Sequence, residues 1–280
     1  MAVLTQSDRI RRVTSTVMTS LTVLCTFLAV GILFVILAYI AYRGIGSLNI
    51  RFLTDSPRPV GEGGGIGNAI LGSLVLLSLS SAFGLPIGIA IGVYLSEVGT
   101  GKFSSIVRFV VDTLTGIPSI VTGVFVYTLI VLPMKHFSAL AGGVALALIM
   151  IPIVARTTEE MLKLVPHSMR EGALALGAPQ WRVILGVVLP AAASGIATGA
   201  MLAIARVSGE TAPLLFTAFG SRFFSTNLNQ PIASLTVQIY NYAISPYDEW
   251  HAQAWAATLV LMTLILGINI IVRFLTRKRF

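Results

Sequence analysis

Cysteine is almost absent from this sequence, because Cys25 is the only one among 280 residues and no intramolecular disulfide can form. The three histidines, His136, His167 and His251, lie in different segments, and no Cys/His cluster has the spacing of metal ligands. The sequence lacks a P-loop, so it cannot hydrolyse ATP through that motif. It also lacks a convincing Ser/His/Asp arrangement for nucleophilic catalysis. We predict a chain that is not an enzyme and that has neither a catalytic residue nor a metal site.

Charged residues are scarce as well, and their scarcity places the chain in a lipid bilayer. They make up 11% of the sequence, whereas 55% of the residues are hydrophobic. A soluble protein of this length does not need so much apolar surface. A spanning helix requires about 20 apolar residues, and six runs are long enough: 13–42, 63–96, 113–134, 136–155, 183–219 and 250–272. We therefore predict an all-α integral membrane protein with six transmembrane helices.

Two of these runs are too long for one straight span. The second contains Gly84 and Pro86, and the fifth contains Pro190 and Pro213. Proline and glycine punctuate helices, so each of these runs is predicted to include a break or a flanking surface segment.

The distribution of basic residues orients the spans. If the N-terminus is cytoplasmic, 13 of the 19 basic residues lie inside, five lie outside, and Arg206 lies within a span. The inside residues are Arg9, Arg11, Arg12, Lys102, Arg108, Arg156, Lys163, Arg170, Arg182, Arg273, Arg277, Lys278 and Arg279. Cytoplasmic loops carry an excess of Lys and Arg, so we predict that both termini are cytoplasmic. The net charge of +8 then reflects contact with membrane lipid. The sequence contains no patch of interleaved basic and aromatic residues that would indicate nucleic-acid binding.

The N-terminal residues are basic and then apolar, as in a signal peptide. The apolar run is far longer than the hydrophobic region of a signal peptide, and no clean cleavage site follows, so we interpret it as a retained first helix. We divide the chain into two parts. Residues 1–60 hold an N-terminal cytoplasmic segment, the first transmembrane helix and an outside loop, and residues 61–280 hold the remaining spans.

The longest outside loop, residues 220–249, is rich in aromatic residues. It carries Tyr240, Tyr242 and Tyr247, and Trp250 and Trp255 follow it. Aromatic side chains gather at membrane–water interfaces, so we interpret this group as an interfacial belt.

A polar segment at residues 166–190 separates two apolar runs. Ser168 and Glu171 have the spacing of a capping box, which predicts a helix that begins near Met169. Gly177 can adopt the left-handed conformation that ends a helix, and Pro179 suits the first turn of a second one. On these residues alone the segment could be a connector between spans that binds no partner.

The spacing within this segment is more specific than its local physics. Glu171, Ala173 and Gly177 are followed at fixed distances by Val187 and by Leu189-Pro190. This pattern resembles the EAA loop of bacterial ABC-importer permeases, E-A-A-x3-G-x9-I-x-L-P, from which Gly172 and Val187 are mild departures. The resemblance implies a MetI-like permease fold and a cytoplasmic helix–turn–helix that docks on an ATPase. The residues it assigns to ATPase coupling are Glu171, Gly172, Ala173, Gly177, Leu189 and Pro190.

The fifth apolar run contains only two charged residues, Arg206 and Glu210. Their spacing of four places both on one face of a helix, and Ser208 and Thr211 add polar groups nearby. The pair could be a structural bridge at a helix–helix contact. A charge within the membrane is nevertheless a functional hypothesis by default, so we predict a substrate pathway formed by Arg206, Ser208, Glu210 and Thr211.

Two further segments resemble phosphate-uptake permeases of the same family. Residues 206–215 are similar to the family segment R-x-x-G-E-T-A-P-L, and residues 116–123 to G-I-P-S-I-V-x-G. The resemblance implies a permease subunit of a phosphate ABC importer in a bacterial inner membrane. The implied partners are a sister permease, a dimer of ATPase subunits that bind the ATP and Mg²⁺, and an extracytoplasmic phosphate-binding protein. No cofactor is expected in this chain itself.

Other functions stay open on the residues themselves. A permease for another oxyanion, such as sulfate, molybdate or phosphonate, would share the EAA loop and differ around Arg206 and Glu210. A self-contained channel would not need a docking loop, and a membrane enzyme would need a nucleophile, a metal cluster or paired acids.

Overall fold

The computed structural model describes the backbone of residues 6–277 and the side chains of residues 10–274, and it is almost wholly helical. The first half of the chain forms α1 (Gln6–Ile45), α2 (Ile50–Thr54), α3 (Gly67–Val93), α4 (Gly101–Gly116), α5 (Ser119–Val126) and α6 (Leu132–Met134). The second half forms α7 (Ala139–Lys163), α8 (His167–Ala175), α9 (Gln180–Val183), α10 (Leu189–Ser208), α11 (Ala212–Thr217), α12 (Leu235–Ala243) and α13 (Asp248–Arg277). Three π-helical segments, Tyr94–Val98, Tyr127–Val131 and Ile184–Val188, continue α3, α5 and α9.

Within the part of the chain that the structure describes, five helices are long and apolar enough to cross a membrane on their own: Ile10–Ile45, Gly67–Val98, Ala139–Lys163, Gln180–Ser208 and Asp248–Phe274. The remaining predicted span, the third in chain order (residues 113–134), corresponds to a bent pair, Gly101–Gly116 with Ser119–Met134, whose axes differ by 107°. The bend lies at Ile117-Pro118, where Ile117 is extended with a ψ of 130°. A residue before proline avoids the helical region, so this sequence interrupts the helix.

Of the proline and glycine positions named in the two long runs, Gly84, Pro86 and Pro190 lie inside continuous helices, whereas the fifth run is broken beside Pro213. The helix continues through Pro86 to Val98, and another continues from Gln180 through Pro190 to Ser208. The π-helical segment Ile184–Val188 ends two residues before Pro190, and such wider turns accommodate a residue that lacks an N–H. The fifth run is interrupted instead at residues 209–211, just before Pro213.

The core of the molecule is the contact between α3 and α7. A stripe of glycines along α3 lies so close to α7 that an added Cβ would approach side-chain atoms there to within 2.8 Å or less. The contacts pair Gly84 with Met150, Gly88 with Val154 and Gly92 with Thr158. Small residues at this spacing allow close helix approach within membranes, so the two helices pack directly on each other along this stripe.

The end of the molecule opposite residues 166–190 contains a second apolar cluster. Phe52 of α2, Ile66 and Tyr242 of α12 are buried in it, and Tyr242 stacks on Trp250 with 5.1 Å between ring centroids. The interfacial-belt interpretation is therefore wrong for Tyr242, although Tyr240 is exposed. The long loop folds back onto the helix bundle because α12 presents an apolar face to α3 and α13.

Candidate functional site

Residues 166–190, called the EAA segment below, form the helix–turn–helix that the sequence predicts. Gly177 lies in the turn between α8 and α9 with a φ of +82°. Its N–H donates to the carbonyl of Leu174 at 2.9 Å, and the N–H of Ala178 donates to the carbonyl of Ala173 at 3.3 Å. These bonds satisfy carbonyl groups at the end of α8, and the left-handed conformation favours glycine.

The start of α8 differs from the prediction. The helix begins at His167 after Pro166, and no side chain caps its N-terminus. The capping box of Ser168 and Glu171 is therefore absent, and Ser168 lies within the first turn. Pro166 is extended, with a ψ of 140°, and the helix starts at the next residue.

The EAA segment exposes apolar side chains. Met169, Leu174, Leu176 and Trp181 are all exposed, Leu176 by 90% and Trp181 by 59%. Three of these side chains, Met169, Leu174 and Leu176, lie in the connection between two spans, where several exposed apolar side chains indicate a contact with another protein. Glu171 is also exposed, and its side chain has no hydrogen bond or ion pair among the described residues.

The remaining predicted coupling residues are divided between the surface and the body of the protein. Gly172 is exposed, and a Cβ added there would meet no atom within 4 Å. Ala173 and Leu189 pack against the buried apolar cluster that includes Leu162 and Val188. Pro190 lies in the first turn of α10. The motif therefore combines exposed positions with positions that attach the segment to the bundle.

An ion pair that local sequence patterns did not indicate joins the EAA segment to the second span. Arg170 donates from Nε to Oε2 of Glu97 at 3.0 Å and from Nη2 to Oε1 at 2.8 Å. Hydrogen bonds to Glu97 raise the pKa of Arg170 above its ordinary value, so the guanidinium is cationic at any physiological pH. The two residues are 73 positions apart, so no rule based on helical spacing could have paired them.

Arg206 and Glu210 form an ion pair, with 3.2 Å between Nη2 and Oε1. They do not share a helical face as predicted, because α10 ends at Ser208 and Glu210 lies beyond its end. The Glu210 side chain is 11% exposed, whereas the Arg206 side chain is 60% exposed. The Glu210 side chain is therefore enclosed by the protein, whereas most of the Arg206 side chain is exposed.

Arg206 lines a cavity of about 430 Å³ beside the bend between α4 and α5. Residues of the 116–123 segment line the same cavity, among them Ser119 and Thr122, together with Ile149 and Ile153 of α7. The two segments that resemble phosphate-uptake permeases therefore meet in the structure, although about 80 residues separate them.

The other two predicted pathway residues do not reach this cavity. The hydroxyl of Ser208 donates to the carbonyl of Ile204 at 2.6 Å within its own helix, and Ser208 is buried. Thr211 precedes α11, and its side chain makes no capping hydrogen bond there. Of the four residues, only Arg206 is among those that line the cavity.

A buried carboxylate at the junction of α4 and α7 was also missed. Glu159 is fully buried and accepts hydrogen bonds from Arg108, at 3.1 and 2.8 Å, and from Lys163. The i+4 spacing of Glu159 and Lys163 could have indicated the pair within α7, but the contact with Arg108 depends on the fold. Among the described residues, no group of three or more His, Cys, Asp or Glu side chains could hold a metal ion.

Comparison with known proteins agrees with these landmarks. The family described as binding-protein-dependent transport system inner membrane component matches residues 84–280. The chain is 48% identical over 239 residues to the phosphate transport system permease protein PstA of Yersinia pestis, covering 85% of this chain and 81% of that one. It is 44% identical to the protein of the same name from Pasteurella multocida, with 94% of both chains covered.

Solved structures support the fold. A chain of a bacterial alginate ABC transporter, in complex with an alginate-bound periplasmic protein, superimposes with a TM-score of 0.68 at 14% identity, covering 98% of this chain and 97% of that one. A chain of the MetNI methionine ABC transporter gives a TM-score of 0.64 at 22% identity, covering 77% and 97%. The predicted all-α, MetI-like permease fold is confirmed. The chain belongs to the family of binding-protein-dependent transport system inner membrane components, which are non-catalytic subunits of ABC transporters.

Proposed function

We propose that this chain is a permease subunit of an ATP-driven importer of inorganic phosphate and forms half of the translocation pore beside a sister permease. The observation that carries the proposal is the placement of Arg206 in a cavity lined by the 116–123 segment. Relatives that are 44% and 48% identical over most of the chain carry the name phosphate transport system permease protein.

The few polar groups of this mostly apolar cavity suit an oxyanion. A guanidinium offers several donors in a planar fork that matches two phosphate oxygens, and Ser119 and Thr122 add hydroxyl groups. Glu210 holds Arg206 while the path is empty, and a phosphate ion displaces it. Competition with Glu210 keeps the affinity modest, which a site in a transport path requires.

The proposed partners follow from the exposed surfaces. The apolar face of the EAA segment, which includes Leu176 and Trp181, meets the ATPase dimer, whose subunits bind the ATP and Mg²⁺. An extracytoplasmic phosphate-binding protein delivers the ion at the opposite end. The alginate transporter, which was solved with a periplasmic protein bound, provides a precedent for such an assembly.

The proposed orientation places the EAA segment and both termini in the cytoplasm of a bacterial cell. Arg108, Lys163, Arg170 and Arg182 lie toward that end of the helices, in accordance with the positive-inside rule. The terminal basic residues that also entered this prediction, Arg9, Arg277, Lys278 and Arg279, lie outside the residues whose side chains the structure describes.

Labelling with a membrane-impermeant thiol reagent tests this orientation. In a Cys25→Ser background, Thr226→Cys should react in intact cells, whereas Lys102→Cys should react only after the membrane is permeabilised. Reaction of Lys102→Cys from outside would contradict the proposed orientation.

Uptake of labelled phosphate into proteoliposomes that contain the complete complex tests the substrate. We expect ATP-dependent uptake that unlabelled phosphate suppresses and that sulfate or molybdate does not. Stronger competition by another oxyanion would reassign the substrate. Uptake without the ATPase subunits, or failure of those subunits to co-purify with the chain, would favour a self-contained channel.

A further inference from the structure

The EAA segment is attached to the bundle through very few side chains. Every residue of α8 is exposed except Arg170 and Ala173, and none is buried. A cavity of about 520 Å³, lined in part by Ser96, His167 and Leu174, separates α8 from the bundle on one side. Apolar packing of α8 is therefore too slight to make the helix move together with the spans.

Arg170 makes the firm connection. Besides its two bonds to Glu97, it donates from Nη2 to the carbonyl of Leu162 at 2.8 Å and from Nη1 to the carbonyl of Val165. The carbonyl of Leu162 belongs to the last turn of α7 and also accepts from the N–H of Val165 at 3.1 Å. One guanidinium therefore joins α8 to the ends of the second and fourth spans.

Glu97 is the complementary element of this connection. Its side chain is 7% exposed, and Oε1 accepts a further hydrogen bond from the hydroxyl of Ser96 at 2.9 Å. Its backbone carbonyl accepts from Nε2 of Gln180 at 3.4 Å. Both short helices of the EAA segment thus contact one residue at the end of the second span.

We propose that Arg170 is a positioning residue that passes movement of the EAA segment to the second and fourth spans through its bidentate contact with Glu97. This inference rests on the proposed function, in which the ATPase moves that segment. The two parallel hydrogen bonds between Arg170 and Glu97 fix both the distance between the side chains and their relative angle. The contact therefore transmits a displacement of α8 that a single hydrogen bond would not.

The path from Arg170 continues to the substrate cavity. We expect the second and fourth spans to move together because the glycines of α3 pack directly on α7. Ile149 and Ile153 of α7 line the cavity that contains Arg206. Displacement of the end of α7 therefore changes the walls of that cavity. A transport site must open to one side of the membrane and then to the other, and such a change in the cavity walls would allow it.

The test uses the complete complex in proteoliposomes, with inorganic phosphate and ATP. The variants are Arg170→Gln, Arg170→Lys, Glu97→Gln and the double Glu97→Gln/Arg170→Gln. Lys102→Gln, which removes one exposed positive charge from the first turn of α4 at the same end of the molecule, is the matched control. Assembly, basal ATP hydrolysis, hydrolysis stimulated by the binding protein, and phosphate uptake are measured for each.

We expect Arg170→Gln to assemble and to hydrolyse ATP at the basal rate, while stimulated hydrolysis and uptake fall by about tenfold, within the usual range of coupling energies. Arg170→Lys should recover part of the loss, because it keeps the charge without the fork. The double variant should be no worse than the poorer single one, because both changes remove the same contact. Lys102→Gln should resemble the wild type.

Two results would overturn the inference. One is normal stimulation and uptake per assembled complex in Arg170→Gln. The other is loss of assembly in Arg170→Gln combined with normal coupling in Glu97→Gln, which would make Arg170 merely structural. Failure of the wild-type complex to take up phosphate would instead contradict the proposed substrate. The ratio of stimulated to basal ATP hydrolysis would still test the Arg170–Glu97 contact, whichever ion is carried.

Discussion

Glu210 forms an ion pair with Arg206 at the end of α10, and the two side chains differ in burial: Glu210 is 11% exposed and Arg206 is 60% exposed. The carbonyl of Glu210 accepts a hydrogen bond from the hydroxyl of Thr236 at 2.9 Å, which ties it to α12. Arg206 projects into the cavity with its side chain 60% exposed. The acid is therefore the stationary member of the pair, and the guanidinium is the member that can turn toward an anion.

This asymmetry predicts the effect of changing Arg206. Arg206→Gln should abolish phosphate uptake and leave assembly intact, because glutamine donates hydrogen bonds but cannot balance anionic charge. Arg206→Lys should retain a fraction of the uptake, since an ammonium lacks the planar fork. Uptake per assembled complex is the measurement, and a normal rate for Arg206→Gln would exclude Arg206 from the pathway.

Changing Glu210 distinguishes a gate from a structural bridge. Glu210→Gln should assemble normally but alter the rate or the apparent affinity of uptake, because Arg206 loses the group that holds it between transport events. A structural bridge would instead lose assembly, since the change leaves a charge without its partner.

Exchange of the two residues extends this test. The double change Arg206→Glu/Glu210→Arg moves the cation from the cavity to the buried position and places an acid in the cavity. We expect uptake to be lost. Wild-type uptake by the exchanged protein would contradict a transit role and favour a purely structural bridge.

The turn of the EAA segment predicts an uncoupled variant. Gly177→Val places a β-branched side chain at a φ of +82°, where such residues are strained. We expect the protein to remain in the membrane while binding-protein-stimulated ATP hydrolysis and uptake are lost. Gly186→Val is the matched control within the same segment, because Gly186 lies in the π-helical part, Ile184–Val188, without a positive φ and with no neighbour within 4 Å of an added Cβ. Equal activity of the two variants would contradict the docking role of the turn.

The close contact between α3 and α7 predicts a stability defect. An added Cβ at Gly88 would lie 2.7 Å from the Cβ of Val154, which is fully buried and cannot move aside. Gly88→Val should lower the free energy of unfolding in detergent by roughly 1–3 kcal/mol, the usual range for overpacking. Gly31→Val, which meets no atom within 4 Å, should change it far less. Thermal unfolding of the purified protein measures both, and equal stability would contradict the tight contact.

The features that the sequence predicted correctly depend on composition or on neighbours within about one helical turn. Apolar runs predict the spans because a bilayer excludes polar segments of that length. Gly177 in the turn follows from its missing Cβ. The same local rules failed where two signals competed, since α8 starts directly after Pro166 and Ser168 does not cap it.

The features that only the tertiary structure decided join residues far apart in the chain. Arg170 meets Glu97, Arg108 meets Glu159, and Arg206 meets the 116–123 segment only after the helices have packed. Packing also determines which charge is buried, so Glu210 is enclosed while Arg206 remains open to the cavity. Composition and spacing therefore determined the membrane architecture and the position of the EAA segment, whereas the ion pairs depend on long-range packing that no short sequence pattern encodes.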